Sequence, residues 1–330
     1  MAVLKTSDYR NLTDHLKVID EVFNDAMADA LNRSMYEDIV GVEMNQFRND
    51  TIQLNHGLGG VEFIPENTDY PEATGQEGDF ISFKKQKYGA NVIYTFENRI
   101  YDEYNAVVEN VESIVDSGIS KIDQSFADIL NKGHSAAAYT DVYGQSITPV
   151  GPDGLALFTA AHTNGTTAST FSNLCTDGIS NNPVLSRAAI VATRNLARNY
   201  KDPQGVSRAV YLNKLLVSPD LEDQAIRIVG SDYINGSANN DINPLKGRIE
   251  VMAWEKLTTA GDGADTADKW YFFEDEKVKR TLKGYFSVMP QLAAPQEFDP
   301  NKNWNYLFHF LYSRGFSRAP YIYGSDASGS

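Results

Sequence analysis

The sequence predicts an α+β protein organised around one long helix and a few long, aromatic strands. Three observations carry that expectation. Apolar residues recur every three or four positions from Asp102 to Lys132, far beyond an ordinary helix length. Runs rich in β-branched and aromatic residues occur at Phe80–Lys87, at Asn91–Glu97 and again at Trp304–Phe316. The chain has 330 residues, of which 42% are hydrophobic, enough for a sizeable core in one large domain or two ordinary ones.

In chain order, Leu12, Leu16, Ile19, Phe23, Met27 and Leu31 fall on one helical face, which predicts a first helix over 12–31. Asn49–Gly60 is polar and punctuated by glycine, and reads as an extended arm or loop. Residues 61–78 have little pattern. Phe80–Lys87 and Asn91–Glu97 then predict a long hairpin turning at Tyr88-Gly89-Ala90, with Lys84, Lys85 and Lys87 exposed. These lysines either blunt a solvated edge or make charge contacts between subunits. With Phe80, Phe83 and Tyr88 they are the candidate inter-subunit contacts.

The helix Asp102–Lys132 is 31 residues long. At about 1.5 Å per residue it is a rod of about 46 Å. Gly133 stops it, and early acids (Asp102, Glu103, Glu109, Glu112) with late Lys121 and Lys132 suit its dipole. Residues 134–182, rich in small and polar types, predict a mostly irregular crossing, with Leu155–Thr159 a short buried strand or turn. Asn182-Pro183 reads as an N-cap and first-turn proline for a helix that turns Leu185, Ala188, Ala189, Ala192 and Leu196 inward. Ala209–Val217 reads as a strand. Ser218-Pro219-Asp220 with Glu222 and Asp223 starts a further helix, which Arg227 and Gly230 close. Asn235–Lys246 and Thr258–Lys269 read as loops, Ile249–Trp254 and Trp270–Phe273 as strands, and Glu274–Lys283 as a short helix. Trp304–Phe316 is a long strand bent at Gly315 and continued by Ala319–Tyr323, after which Ser325–Ser330 frays.

Charge and motif content narrow the function. Lys plus Arg number 29 against 44 Asp plus Glu, a net charge of −15 and a pI near 4.7, which excludes non-specific nucleic-acid binding. Cys175 is the single cysteine, so no intrachain disulfide forms; it reads as a buried, inert thiol suited to a reducing compartment. The N-terminus lacks the apolar core of a signal peptide, and no apolar run approaches the roughly 20 residues that span a bilayer. His15, His56, His134, His162 and His309 stand apart, without HExxH or an i,i+4 pair. His162 merits inspection, although no acid or nucleophile lies near it in sequence. Gly57–Gly60 reads as a turn and not a phosphate loop, and Gly261–Asp268 spaces its acids by three where a calcium loop alternates. No GxSxG elbow is present. No catalytic residue, cofactor or metal is therefore predicted, and the chain reads as a non-enzyme.

The order of elements resembles the tailed-phage major capsid proteins, whose fold (the Hong Kong ninety-seven type) encapsulins share. Arm, hairpin, long helix, the segments Tyr211–Glu222, Asn243–Val251 and Trp270–Phe273, and the aromatic return from Phe298 to Tyr323 follow that family's sequence of parts. Phe158–Asn164 and Val217–Leu221 are similar to Mu-type head subunits. The resemblance implies an N-terminal arm at 1–62 and an E-loop hairpin at 63–98. It implies a peripheral domain at 99–182 and 291–330 with the spine helix 102–132, and an axial domain at 183–290. It further implies a shell of hexamers and pentamers enclosing double-stranded DNA without sequence-specific contact, assembled in the host cytoplasm with a portal and a separate scaffolding protein, and no membrane. An encapsulin-like compartment and a tail or baseplate component are the alternatives of the same structural class. A hydrolase built around His162 is the alternative of a different one.

Overall fold

A computed structural model describes residues 12–55, 63–66, 68–70, 77–95, 104–163, 170–202, 205–234, 241–258, 268–293, 303–317 and 319–329. The periodic segments form helices where their spacing dictates. Helix α1 spans Leu12–Arg33, α2 is the short Tyr36–Ile39, and the spine α3 spans Tyr104–Asn131. The apolar stripe of α3 (Val111, Val115, Ile119, Ile122, Phe126, Ile129 and Leu130) is buried throughout.

That stripe lies on a four-stranded sheet made of β1 (Gly41–Met44), β4 (Gln86–Tyr94), β12 (Leu282–Ala293) and β13 (Trp304–Phe316), ordered β1-β12-β13-β4. β1 runs parallel to β12, and the other pairs are antiparallel. The β13 residues Phe308, Phe310, Tyr312 and Phe316 alternate inward, as a half-buried strand requires. Gly118 lies against the Phe308 ring, so the helix approaches the sheet where it lacks a side chain.

A second sheet orders β10 (Glu250–Ala253), β9 (Lys214–Val217), β11 (Trp270–Phe273) and β14 (Ile322–Ser325). Helices α4 (Arg187–Arg198) and α5 (Pro219–Gly230) share its core. Helix α5 begins and ends as its cap residues predict. Helix α4 does not: Ser186, accepting from the Ala189 amide, is the N-cap, while Asn182 sits at φ 57. The inward face is accordingly Ala189, Ile190, Thr193 and Ala197, and Ala188 is exposed. Between the sheets the crossing forms two tiny hairpins, β5–β6 (Tyr139–Thr140 with Ser146–Ile147) and β7–β8 (His162–Thr163 with Thr170–Phe171).

Three expectations are corrected. The segments expected to pair about Tyr88–Ala90 do not pair with each other. β4 runs straight through the expected turn on the edge of β13, while β3 (Glu77–Lys84) pairs with β2 (Asn49–Asn55). The short helix expected over Glu274–Lys283 is only Val278–Thr281 (α6), and β12 follows it in the first sheet. The C-terminal segment does not fray at Ser325. Strand β14 does not prolong β13 but pairs with β11 in the second sheet, Ser325 Oγ donates to the Pro183 carbonyl at 2.7 Å, and the Gly329 amide to that of Asn182 at 3.0 Å.

Candidate assembly surface

Strands β2 and β3 form a two-stranded ribbon, registered Asp50 to Phe83, Ile52 to Ile81 and Gln53 to Phe80, with no third strand paired to it among the described residues. An isolated ribbon of this kind is marginal in water. Its faces differ. Ile52 and Ile81 share one and are half-buried, whereas Thr51, Ser82, Gln53 and Lys84 line the other with Phe80, which is 70% exposed. Nearby Met44 and Phe47 are also exposed, Phe47 to 72%.

The six candidate contacts divide into three groups. Phe80, Lys84 and Lys87 are exposed. Phe83 is partly buried, its ring laid on Gly315 of β13 where any Cβ would collide with it. Tyr88 packs inward from β4, 4.1 Å from the Tyr143 ring and 5.6 Å from Phe310, and donates to Gln86 Oε1 at 2.6 Å. Burial, then the neighbouring Tyr312, pushes its hydroxyl up to about 12.

Lys85, expected to be exposed, is buried. Its side chain is 2% accessible and pairs with Asp50, itself 3% accessible, at 3.3 Å. Lys85 Nζ also donates to the Asn45 carbonyl at 3.0 Å and to Asn45 Oδ1. Asp50 in turn accepts from Asn45 Nδ2 at 2.7 Å and from Ser313 Oγ at 3.0 Å, and Ser287 Oγ donates to the Asn45 carbonyl at 2.8 Å. The reason is topological: Lys85 is the one residue between β3 and β4, where the chain passes from ribbon to sheet and turns its side chain beneath the junction. Sequence reasoning missed Asn45, Asp50, Ser287 and Ser313. No local pattern marks them, since their partners lie up to 263 residues away.

The outer face of the first sheet carries a further apolar strip. Ile93 of β4 and Leu307 of β13 point away from the α3 side and are largely exposed.

His162 does have an acid neighbour, nine residues upstream: its Nδ1 lies 2.7 Å from Asp153 Oδ2, and its Nε2 lies 3.0 Å from the Leu157 carbonyl. Burial acts to raise the Asp153 carboxyl, but the hydrogen bond and charge of His162 and the Leu155 amide together hold it below the usual range. Both ring nitrogens are engaged and the ring stacks on Phe171, so the pair clamps the loop 153–162 onto β8. Cys175 is fully buried, which raises its thiol well above its ordinary value. Among the described residues, no three His, Cys, Asp or Glu side chains gather as a metal site, and no helix is long and apolar enough to cross a membrane. The loops Gly57–Gly60 and Gly261–Asp268 lie outside the described residues, apart from Asp268.

A family model described as phage capsid protein matches residues 80–310, well over half of the chain. No curated protein matches in sequence. Solved structures do match. The capsid of an empty GTA particle aligns with a TM-score of 0.54 at 12% identity, covering 89% of both chains. The capsid of cyanophage P-SCSP1u aligns at 0.52 and 11% identity, covering 90% of this chain and 89% of that one. That of Myoviridae phage XM1 aligns at 0.52 and 11%, covering 88% and 90%. At such identities the likeness is one of fold.

Proposed function

The chain belongs to the phage capsid protein family, and from that premise we propose that its projecting ribbon is the lever by which one copy engages the next. It is a major capsid protein, a virion component and not an enzyme, and its copies assemble into the capsid shell. The observation that carries the proposal is the ribbon itself: two strands with no sheet neighbour among the described residues, a half-apolar face and an exposed Phe80. Such a segment gains stability by lying on another surface, through strand pairing and apolar burial. Phe80 and Lys84 are its outward contacts and Phe83 supports them from beneath, while Lys87 extends the contact surface onto β4, above the inward-packed Tyr88.

The first sheet with α3 constitutes the peripheral body on this reading. The second sheet with α4 and α5 constitutes the axial unit, and residues 49–84 form the intermolecular hairpin. Hexamers and pentamers of this subunit close around a portal with the help of a scaffolding protein, in the host cytoplasm, and enclose double-stranded DNA. The net charge of −15 supports a lumen that repels its contents and releases them freely.

Replacing Thr51–Ser82 by a short glycine turn tests this, because β4 and the buried root stay in place. The expected product is a subunit with unchanged thermal unfolding that stays unassembled in sedimentation velocity. Normal shells from the truncated chain would refute the proposal.

A further inference from the structure

The ribbon leaves the sheet through a polar, charged root in which Lys85, Asp50 and Ser313 are buried and Asn45 and Ser287 half-buried. Lys85 and Asp50 sit on its two legs, Asn45 precedes the first leg, and Ser287 and Ser313 reach in from β12 and β13. The Lys85 amide also donates to the Arg48 carbonyl at 3.2 Å, closing the two legs against each other. Phe83 on Gly315 adds one apolar contact beside the pair.

A buried ion pair is a poor source of net stability, since desolvation offsets most of the attraction and apolar replacements of similar volume are often neutral. It does supply direction. The ammonium and carboxylate with their hydrogen bonds fit together in one arrangement, whereas an apolar plug would let the ribbon tilt and slide. The leverage is large. Seven strand residues span roughly 23 Å, so a root tilt of about 10° moves the far end of the ribbon by about 4 Å, nearly one strand spacing.

We infer that Lys85 and Asp50, with Asn45, Ser287 and Ser313, are positioning residues that fix the angle at which the ribbon leaves the sheet, and thereby the curvature of the assembly that subunits form. The second half of this rests on the proposed intermolecular role of the ribbon; the first half does not.

The test separates the two. Lys85→Met alone strands a buried carboxylate and is prone to misfold, so the informative variant is Lys85→Met with Asp50→Asn, which removes both charges and keeps a side chain able to bond Asn45 and Ser313. Spin labels at Gln53→Cys on the ribbon and Asn91→Cys on β4, both exposed positions, report the angle in unassembled full-length subunit; native Cys175 is buried and stays unlabelled. One narrow distance distribution is expected with the ion pair intact. The neutral double variant should lose the single peak while its melting temperature stays near that of the parent, and its assemblies should become sheets, tubes or shells of mixed diameter. An unchanged narrow distribution in the folded double variant overturns the latch, whatever the assemblies look like. A broadened distribution with shells of unchanged diameter overturns the link to curvature. A labelled parent with the narrow distribution that never assembles upholds the latch and removes the intermolecular reading instead.

Discussion

Asp123, midway along the spine helix, shows how much of the body hangs on single buried groups. One carboxylate oxygen accepts from the Met35 and Tyr36 amides at 3.1 and 3.0 Å, capping α2, and the other accepts from Trp254 Nε1 at 2.8 Å. Burial raises this carboxyl, and the three hydrogen bonds oppose the rise. Asp123→Asn keeps the shape but turns an amide NH2 towards the indole N–H. A buried donor left facing a donor costs about 1–3 kcal/mol, readable as a lowered urea midpoint, and Trp254→Phe in the Asn background should return part of that loss. His134 supplies the pH-dependent counterpart. Burial pushes its imidazole down to about 4, with Asp326 opposing and Lys269 assisting, and the ring stacks on Phe158 at 4.7 Å. The folded value lies below the free value of 6.5, so the unfolded chain binds the proton first, and stability falls as pH drops from about 6.5 to about 4. Over that window the group accounts for about 3 kcal/mol. His134→Phe should flatten this part of the stability–pH curve in urea melts; an equally steep curve would show that other groups cause it.

At the scale of elements, what could be read from the sequence and what could not follows from the range of the interactions involved. The helices α1, α3 and α5 are written in local periodicity and caps, and the structure places them within a few residues of expectation. Strand partners are not local. Nothing in Phe80–Glu97 says that its first half belongs to Asn49–Asn55 and its second half to Trp304–Phe316, and the intervening Gly89-Ala90 imitates a turn. Gly89 serves instead to let β4 approach β13 closely, where a Cβ would strike the Phe308 carbonyl. Strand β12 is central yet contains Pro290, which it accommodates where the register slips between Val288 and Gln291. The candidate site was half legible for the same reason. Exposed Phe80, Lys84 and Lys87 follow from strand alternation, whereas burial of Lys85 depends on Asp50 and Ser313, brought from distant parts of the chain. Contact between helix and sheet is testable at Gly118. A side chain there meets the Phe308 ring, and Gly118→Val is expected to lower unfolding stability by about 2 kcal/mol through overpacking. Unchanged stability would mean that α3 can back away from the sheet.

At the scale of the molecule, two large cores meet at the second sheet, which turns Leu216, Tyr271, Phe273 and Ile322 into one and Leu215, Val217, Trp270, Phe272 and Tyr323 into the other, and the ribbon belongs to neither. The division suits the work of a shell subunit: bodies with cores of their own and, on the proposed reading, an appendage that leans on its neighbours. The apolar strip of Ile93 and Leu307 on the outer face of the first sheet offers such a neighbour a place to lie. The most direct measurement is a cryo-electron-microscopy map of the assembled full-length chain, at a resolution that traces strands. The expected map contains closed shells in which residues 49–84 of each copy rest on the body of another. A map in which that ribbon folds back on its own subunit, or a chain that sediments as a monomer at high concentration, would contradict the intermolecular role.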